Sequence, residues 1–231
     1  MTHRIAVLSP HLDDAIFDCC DHLIKWRSKG SELLVYTVFC SFQTSHIPAF
    51  QQEVMRKAGI TSLDDFEATR RSEDVQAMEM LSAKWQHWDF TDAGFRACNG
   101  SPQFPDQAAL CSGKLHSHDA HLLSELTETI AARVNADCVL VPFGVGQHQD
   151  HLLVRRAAEA AQGIGELRYY LDFPYARNPR RWRYQQFIAA LRARKSILWM
   201  SSQKRALMNC YVSQMPQVFR WPAFFPEVIL G

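Results

Sequence analysis

Two short stretches carry the residue types that hydrolytic chemistry requires. The first is 9-SPHLDD-14, with His11, Asp13 and Asp14. The second is 146-GQHQDH-151, with His148, Asp150 and His151. Imidazole and carboxylate are the nitrogen and oxygen donors that hold zinc or another first-row divalent ion. A hydrolytic centre needs about three such ligands and an open position for water. It also needs a base outside the ligand set and an acid or electrophile opposite that base. Together the two stretches hold enough groups for all of these. A plainer reading makes Asp13 or Asp14, and likewise Asp150, helix N-caps. That accounts for one aspartate in each stretch and leaves the flanking histidines unexplained.

Each stretch follows an apolar run and precedes helical periodicity. Residues 4–9 (RIAVLS) read as a buried strand. Residues 14–29 read as a helix with Ile16, Cys19, Cys20, Leu23, Ile24 and Trp26 on its apolar face, ended by Gly30. A strand over 32–39 completes a βαβ unit. Segment 40–63 reads as loop with some helix, and Asp64 or Asp65 is expected to cap a helix running to about Ser82. An irregular strand over 85–90 and a long loop over 91–117 follow. Next come a helix over 118–134, a strong buried strand over 137–143, a loop to 149, a helix over 150–162 and a strand over 167–172. A basic helix near 180–195, a helix near 202–210 and an aromatic tail complete the chain. The alternation predicts an α/β protein, a Rossmann-like three-layer sandwich with a mostly parallel central sheet. Residues 1–231 read as a single domain, with 173–231 as a C-terminal extension packing on it. In such sheets ligands bind beyond the carboxyl ends of the strands, where both stretches fall.

The 231 residues carry a formal net charge of +1, with 47% hydrophobic and 21% charged residues. That overall balance steers the chain toward neither nucleic acid nor a membrane. No apolar run is long enough for a signal-peptide core or a bilayer span, so a cytoplasmic protein is expected. Seven cysteines, odd in number and without a CxxC pair, read as reduced and mostly buried thiols. His116, His118 and His121 read as a loop entering a helix rather than a metal tract. Gly144 and Gly146 belong to no complete G-x-G-x-x-G motif and read as flexible loop. The basic run 177–195 reads as a solvated helix face, with recognition of an anionic substrate group as the alternative. Trp221, Phe224 and Phe225 are expected to pack onto the core.

The two histidine stretches resemble the motifs of the LmbE-like, or PIG-L, family of metal-dependent N-deacetylases. The family's first motif, A-H-P-D-D-E after strand one, is similar to 10-PHLDDA-15, and its second, H-P-D-H, is similar to 148-HQDH-151. Arg70, Glu73, Ala77, Leu81 and Ser82 keep the register of a helical motif lying between them. Supporting similarities are 90-FTDAG-94, 168-RYYLDFPYA-176 and 204-KRALMNCYVSQ-214, so the resemblance covers most of the chain. It departs at Leu12, where the family has proline, and at Ala15, where it has glutamate.

The resemblance implies that His11, Asp14 and His151 hold one divalent metal, zinc by default, with ferrous iron fitting the same donors. It implies Asp13 as general base and His148 as the group that stabilises the oxyanion or protonates the leaving amine. Asp150 would orient His148, and Arg70 and Asp92 would contact substrate hydroxyls. The expected partner is a small N-acetylated amino sugar or its conjugate, with no nucleic acid and no membrane span. Assembly into a homo-oligomer stays open. Two alternatives also stay open: an amidase acting on a non-sugar intermediate, and a sugar-binding protein without turnover. Specificity is expected in loops 41–63 and 91–117 and in the tail.

Overall fold

The computed structural model describes residues 2–215 and 226–231, apart from the side chains of Arg177, Pro179 and Tyr184. Trp221, Phe224 and Phe225 lie outside the described residues. The first half of the chain runs β1 (Arg4–Ser9), α1 (Asp14–Ser28), β2 (Glu32–Thr37), α2 (Ala49–Lys57), α3 (Leu63–Leu81) and β3 (Lys84–His87). A small hairpin follows, β4 (Ala97–Cys98) and β5 (Ser101–Pro102), then α4 (Gln107–Leu110). The second half runs α5 (Ala120–Arg133), β6 (Cys138–Pro142), α6 (Gln149–Ala160), β7 (Glu166–Tyr170), α7 (Tyr184–Arg192), β8 (Lys195–Leu198), α8 (Ser202–Met208) and β9 (Glu227–Leu230).

Seven strands form one sheet in the order β3-β2-β1-β6-β7-β9-β8. The five from β3 to β7 are mutually parallel, and β9 is antiparallel to both β7 and β8. Strands β1 and β6 are the most deeply buried, as their unbroken apolar runs require of strands covered on both faces. Alternating residues of these strands divide between two cores. Ile5, Val7, Cys138 and Leu140 pack with the apolar face of α1 and with Ala77, Met78 and Leu81 of α3. Ala6, Leu8, Val139 and Val141 pack with Leu126 and Ile130 of α5 and Leu153, Val154 and Ala157 of α6. Helices therefore cover both faces of a mostly parallel sheet, which is the expected α/β sandwich. No helix among the described residues is long and apolar enough to cross a membrane.

Several local expectations are corrected. Ser62, not Asp64 or Asp65, caps α3: its extended backbone lets the hydroxyl accept the Asp65 N–H at 3.0 Å. The two aspartates instead occupy the first turn, where the helix dipole favours negative charge. Strand β3 stops at His87 because Trp88 turns into the core; only isolated bridges, Phe39 to Asp89 and Ser41 to Thr91, continue the pairing. The 91–117 loop contains the β4–β5 hairpin and α4, and the 40–63 loop contains α2. The basic helix is shorter than expected and gives way to β8. The tail supplies β9, which is inserted between β7 and β8.

Candidate active site

After β1 the chain builds outward through β2 to β3, then returns to lay β6 on the other side of β1. A crevice therefore opens beyond the carboxyl ends of β1 and β6, at the point where the strand order reverses. The loop after β1 carries His11 and Asp13, and α1 begins at Asp14. The loop after β6 ends at His148, and Asp150 and His151 lie in the first turn of α6. Five of the six line one crevice, and Asp150 is buried behind His11.

Local bonds shape each loop. The Asp13 N–H donates to the His11 carbonyl at 2.9 Å, and the Asp14 carboxylate accepts the His11 N–H at 2.8 Å. Leu12 is fully buried against Cys40, Phe42, Met55, Phe66 and Phe95, so apolar anchoring holds the loop where the family motif has proline. Ala15 is buried in the α1 core, where a longer charged side chain would have no solvent. In the second loop Gly144 adopts φ +76 and Gln147 φ +59. A Cβ on Gly146 would meet the Tyr175 ring at 2.4 Å. These glycines answer to backbone shape and close approach rather than flexibility.

The aspartates are not helix caps. Asp13 precedes α1 without a side-chain capping bond. At α6 the cap is His148, whose Nδ1 accepts the Asp150 N–H at 3.2 Å. The carboxylates are free for other work, and the histidine rings show what it is. His11 Nδ1 lies 3.3 Å and His151 Nε2 3.5 Å from Asp14 Oδ2, with the two ring centroids 5.2 Å apart. Each ring turns its other nitrogen to a buried carboxylate: His11 Nε2 to Asp150 at 3.1 Å, His151 Nδ1 to Asp172 at 2.5 Å.

Asp150 is held ionised although burial opposes it, because the Arg96 charge and the His11 hydrogen bond outweigh that penalty. An ionised carboxylate only accepts, so His11 Nε2 is the donor and the lone pair on Nδ1 turns inward. At His151 the Nδ1 nitrogen is likewise engaged by Asp172, which leaves Nε2 facing Asp14. Three electron-pair donors, His11 Nδ1, Asp14 Oδ2 and His151 Nε2, therefore face one another, an arrangement that calls for a cation between them. Carboxylates behind metal-binding imidazoles fix ring orientation in this manner. The protonation of the cluster points the same way. Burial depresses His11 and His151, yet contacts with Asp14, Asp150 and Asp172 more than reverse this and draw positive charge to both rings. Burial would raise Asp14, but His151 and His11 hold it well below the usual carboxylate range. His11, His148 and Asp150 form a second close grouping. Its carboxylate is already engaged by the Ala93 N–H at 2.8 Å and Arg96 Nη1 at 2.7 Å, which leaves the first grouping as the better cation cage.

Asp13 stands beside the cage with a different character. Burial raises it to about 6, against the lowering effect of Arg70, whose Nη2 donates to Asp13 Oδ2 at 3.1 Å. Arg70 sits over the rings of Phe42 and Phe66, 5.5 and 5.8 Å away, and its Nε is buried without a hydrogen-bond partner. The expected hydroxyl contact of Arg70 is therefore joined by a bond to the expected base. Burial and the nearby His11 charge push His148 well below the usual histidine range, so its ring is neutral. With Nδ1 accepting, Nε2 carries the proton. The Asp150 carboxylate bonds His11 and not His148; only its backbone N–H reaches His148. Asp92 Oδ1 accepts the Gly94 N–H at 2.7 Å, and Oδ2 lies 3.7 Å from His11 Nε2.

These groups line a cleft of about 590 Å³, within the usual range for small-molecule sites. Its walls include Arg70, Asp92, Tyr175, Asn178, Arg181 and Gln214. Segments 50–57, 107–110 and 173–181 contribute, so parts of both loops expected to set specificity reach it. Sequence reasoning missed Asp172 and Arg96 as members of the site. Asp172, a charged residue closing an apolar strand beside β6, was the more legible of the two. His116, His118 and His121 join no three-donor group among the described residues. His118 instead contacts Cys98, with Nδ1 2.6 Å from Sγ.

Fold and site together define an α/β protein with a His-Asp-His grouping that could hold a cation at the switch point of its sheet. The chain belongs to the PIG-L family (GlcNAc-PI de-N-acetylase), which it matches over residues 6–162. It is 29% identical over 176 residues to a 2'-N-acetylparomamine deacetylase of Streptomyces fradiae, covering 75% of this chain and 58% of the relative. It is 27% identical over 185 residues to a protein of the same description from Niallia circulans, covering 73% and 66%. The chain thus spans less than two thirds of the length of these relatives. Among solved structures it resembles a deacetylase of the teicoplanin biosynthesis pathway at TM-score 0.78 and 25% identity, covering 98% of this chain and 96% of that one. A zinc-inhibited form of teicoplanin deacetylase aligns at TM-score 0.77 and 24% identity, covering 98% and 97%.

Proposed function

We propose that the protein is a metal-dependent N-deacetylase that releases acetate from an N-acetylated amino sugar or its conjugate. The observation that carries this reading is the inward turn of His11, Asp14 and His151, each imidazole backed by a carboxylate, with Asp13 beside them. The relatives' deacetylase names and the family match support the acetyl amide as the bond attacked.

His11, Asp14 and His151 would hold the cation. When bound, a divalent ion supplies a Lewis acid that polarises the amide carbonyl and lowers the pKa of water from 15.7 to about 7. Asp13 takes a proton from the attacking water, and its pairing with Arg70 aims the carboxylate. Neutral His148 donates its Nε2–H to the oxygen that gains negative charge as the carbonyl carbon becomes tetrahedral. As the C–N bond breaks, Asp13 returns the proton to the departing nitrogen, leaving acetate and a free amine. Asp92 and Arg70, on the cleft wall, contact sugar hydroxyls. Zinc is the default ion and ferrous iron suits the same donors. A related structure is of a zinc-inhibited form, so both ions belong in the assay.

The test is acetate and free-amine release from a panel of N-acetylated amino sugars by protein loaded with zinc or, anaerobically, with ferrous iron. Turnover on at least one sugar, abolished by chelation, is expected. Asp13→Asn should keep its metal and lose about 10²–10⁴ in rate. Acetate from non-sugar amides alone would make the protein a general amidase. No acetate from any amide by the metal-loaded protein would leave a binding module.

A further inference from the structure

Charge is divided unevenly along this chain. The 54 residues from Phe173 to Pro226 contain ten Arg and Lys and no Asp or Glu, although the whole chain carries only +1. The remainder is correspondingly acidic. Part of the basic segment forms one exposed face at the β8 edge of the sheet. Arg192, at the end of α7, and Arg194 and Lys195, where the chain enters β8, are exposed there, and none makes an ion pair with a carboxylate among the described residues.

Large apolar side chains stand among these charges. Phe187 and Leu191, one helical turn apart on α7, are 49% and 56% exposed; Ile197 is 52% and Trp199 69% exposed. Pairing geometry puts Ile197 on the α7 side, and Trp199 follows two positions later, just past the end of β8. Lys195 pairs with Leu230 and Ile197 with Val228, residues that pack in the core beneath α7. Both side chains therefore emerge on the α7 side of the sheet, and Lys195 Nζ donates to the carbonyls of Leu191 and Ala193 at 3.0 and 3.3 Å. The opposite side of the strand is engaged inward, with Ser196 Oγ 3.0 Å from His22 Nε2.

We propose that this α7–β8 face docks on an anionic lipid surface. Guanidinium and ammonium groups meet the headgroup phosphates while Phe187, Leu191, Ile197 and Trp199 enter the headgroup–acyl boundary. Charge complementarity carries the choice of an anionic partner. Bulky aliphatic side chains beside Phe187 and Trp199 favour lipid over nucleic acid, which asks for phosphate contacts and flat stacking surfaces. Tyr175, Asn178 and Arg181, from the start of the same segment, line the cleft. The docking does not depend on the deacetylase reading, because its measurement involves no turnover.

The test is sedimentation of the 231-residue chain with vesicles of phosphatidylcholine alone or mixed with phosphatidylglycerol, at low and high salt. Wild type should sediment with the mixed vesicles, remain in solution with the neutral ones, and release as salt rises. Reversing three charges (R192E, R194E, K195E) should weaken partition by more than about tenfold. In a separate variant, L191S with W199S should also weaken it while leaving the circular dichroism spectrum unchanged. None of these residues belongs to the cleft, so acetate release from a water-soluble substrate should persist. Equal sedimentation with neutral and anionic vesicles, or no loss in either folded variant, would overturn the proposal. So would binding to heparin or RNA without vesicle binding, or a dimer in solution that L191S with W199S converts to monomer.

Discussion

At the residue scale, the groups that shape the proposed metal centre include two that stand behind its imidazoles. Asp150 and Asp172 each engage the outer ring nitrogen of His11 and His151 and so turn the remaining nitrogens inward. Asp172 also accepts the Val145 N–H at 2.8 Å, which joins the loop after β6 to the end of β7. Asp172→Asn can still occupy the space but no longer holds a full negative charge against the ring. Metal affinity is expected to fall about 10–100-fold, read by competition with a chromophoric chelator. An unchanged affinity in a folded variant would remove Asp172 from the centre. Asp13→Asn should behave oppositely, with affinity kept and rate lost.

At the element scale, α1 carries the ligand loop at one end and is clamped at its middle by the tail. Lys204 on α8 donates to the Phe17 carbonyl and to Glu227 Oε1, each at 2.6 Å. Glu227 at the start of β9 also accepts the backbone N–H of Asp21 and His22, at 2.9 and 3.1 Å. Removing one partner leaves a buried charge alone, so Lys204→Met should destabilise by about 3–5 kcal/mol in urea unfolding. The pair also sets a pH dependence. Burial would raise Glu227, but Lys204 and His22 lower it below its ordinary value. Its contribution is therefore complete above the unfolded glutamate pKa of about 4.3 and is lost as pH falls through the folded value. The melting-temperature advantage of wild type over Glu227→Gln should shrink in that acid window and stay level above it.

At the scale of the whole molecule, a cation that binds only the folded chain must stabilise all of it. At about 100 times its dissociation constant the gain is about 2.7 kcal/mol, or roughly 5–10 °C in melting temperature for a chain of this size. His151→Ala should lose most of that increment, as measured by scanning calorimetry with and without metal. The family match over residues 6–162 contains both histidine loops but ends before β7, α7, β8 and β9. That later part supplies Asp172, one wall of the cleft and the basic face.

How far all this was legible follows from the range of the forces involved. His11, Asp13, Asp14, His148, Asp150 and His151 were readable because residue type and short spacing encode donor chemistry, and the apolar runs before them encode buried strands. Helices α1, α5 and α6 were readable for the same local reason, through periodicity. The placement of β9 between β7 and β8 was not, because a four-residue strand acquires its identity from partners distant in the chain. Nor was the partner of Asp150, which proved to be His11, 139 positions away. Sequence alone determined which donors exist and that two loops hold them. Only the tertiary structure decided which carboxylate backs which imidazole, because hydrogen bonds are selected by angstrom-scale proximity that no local pattern specifies.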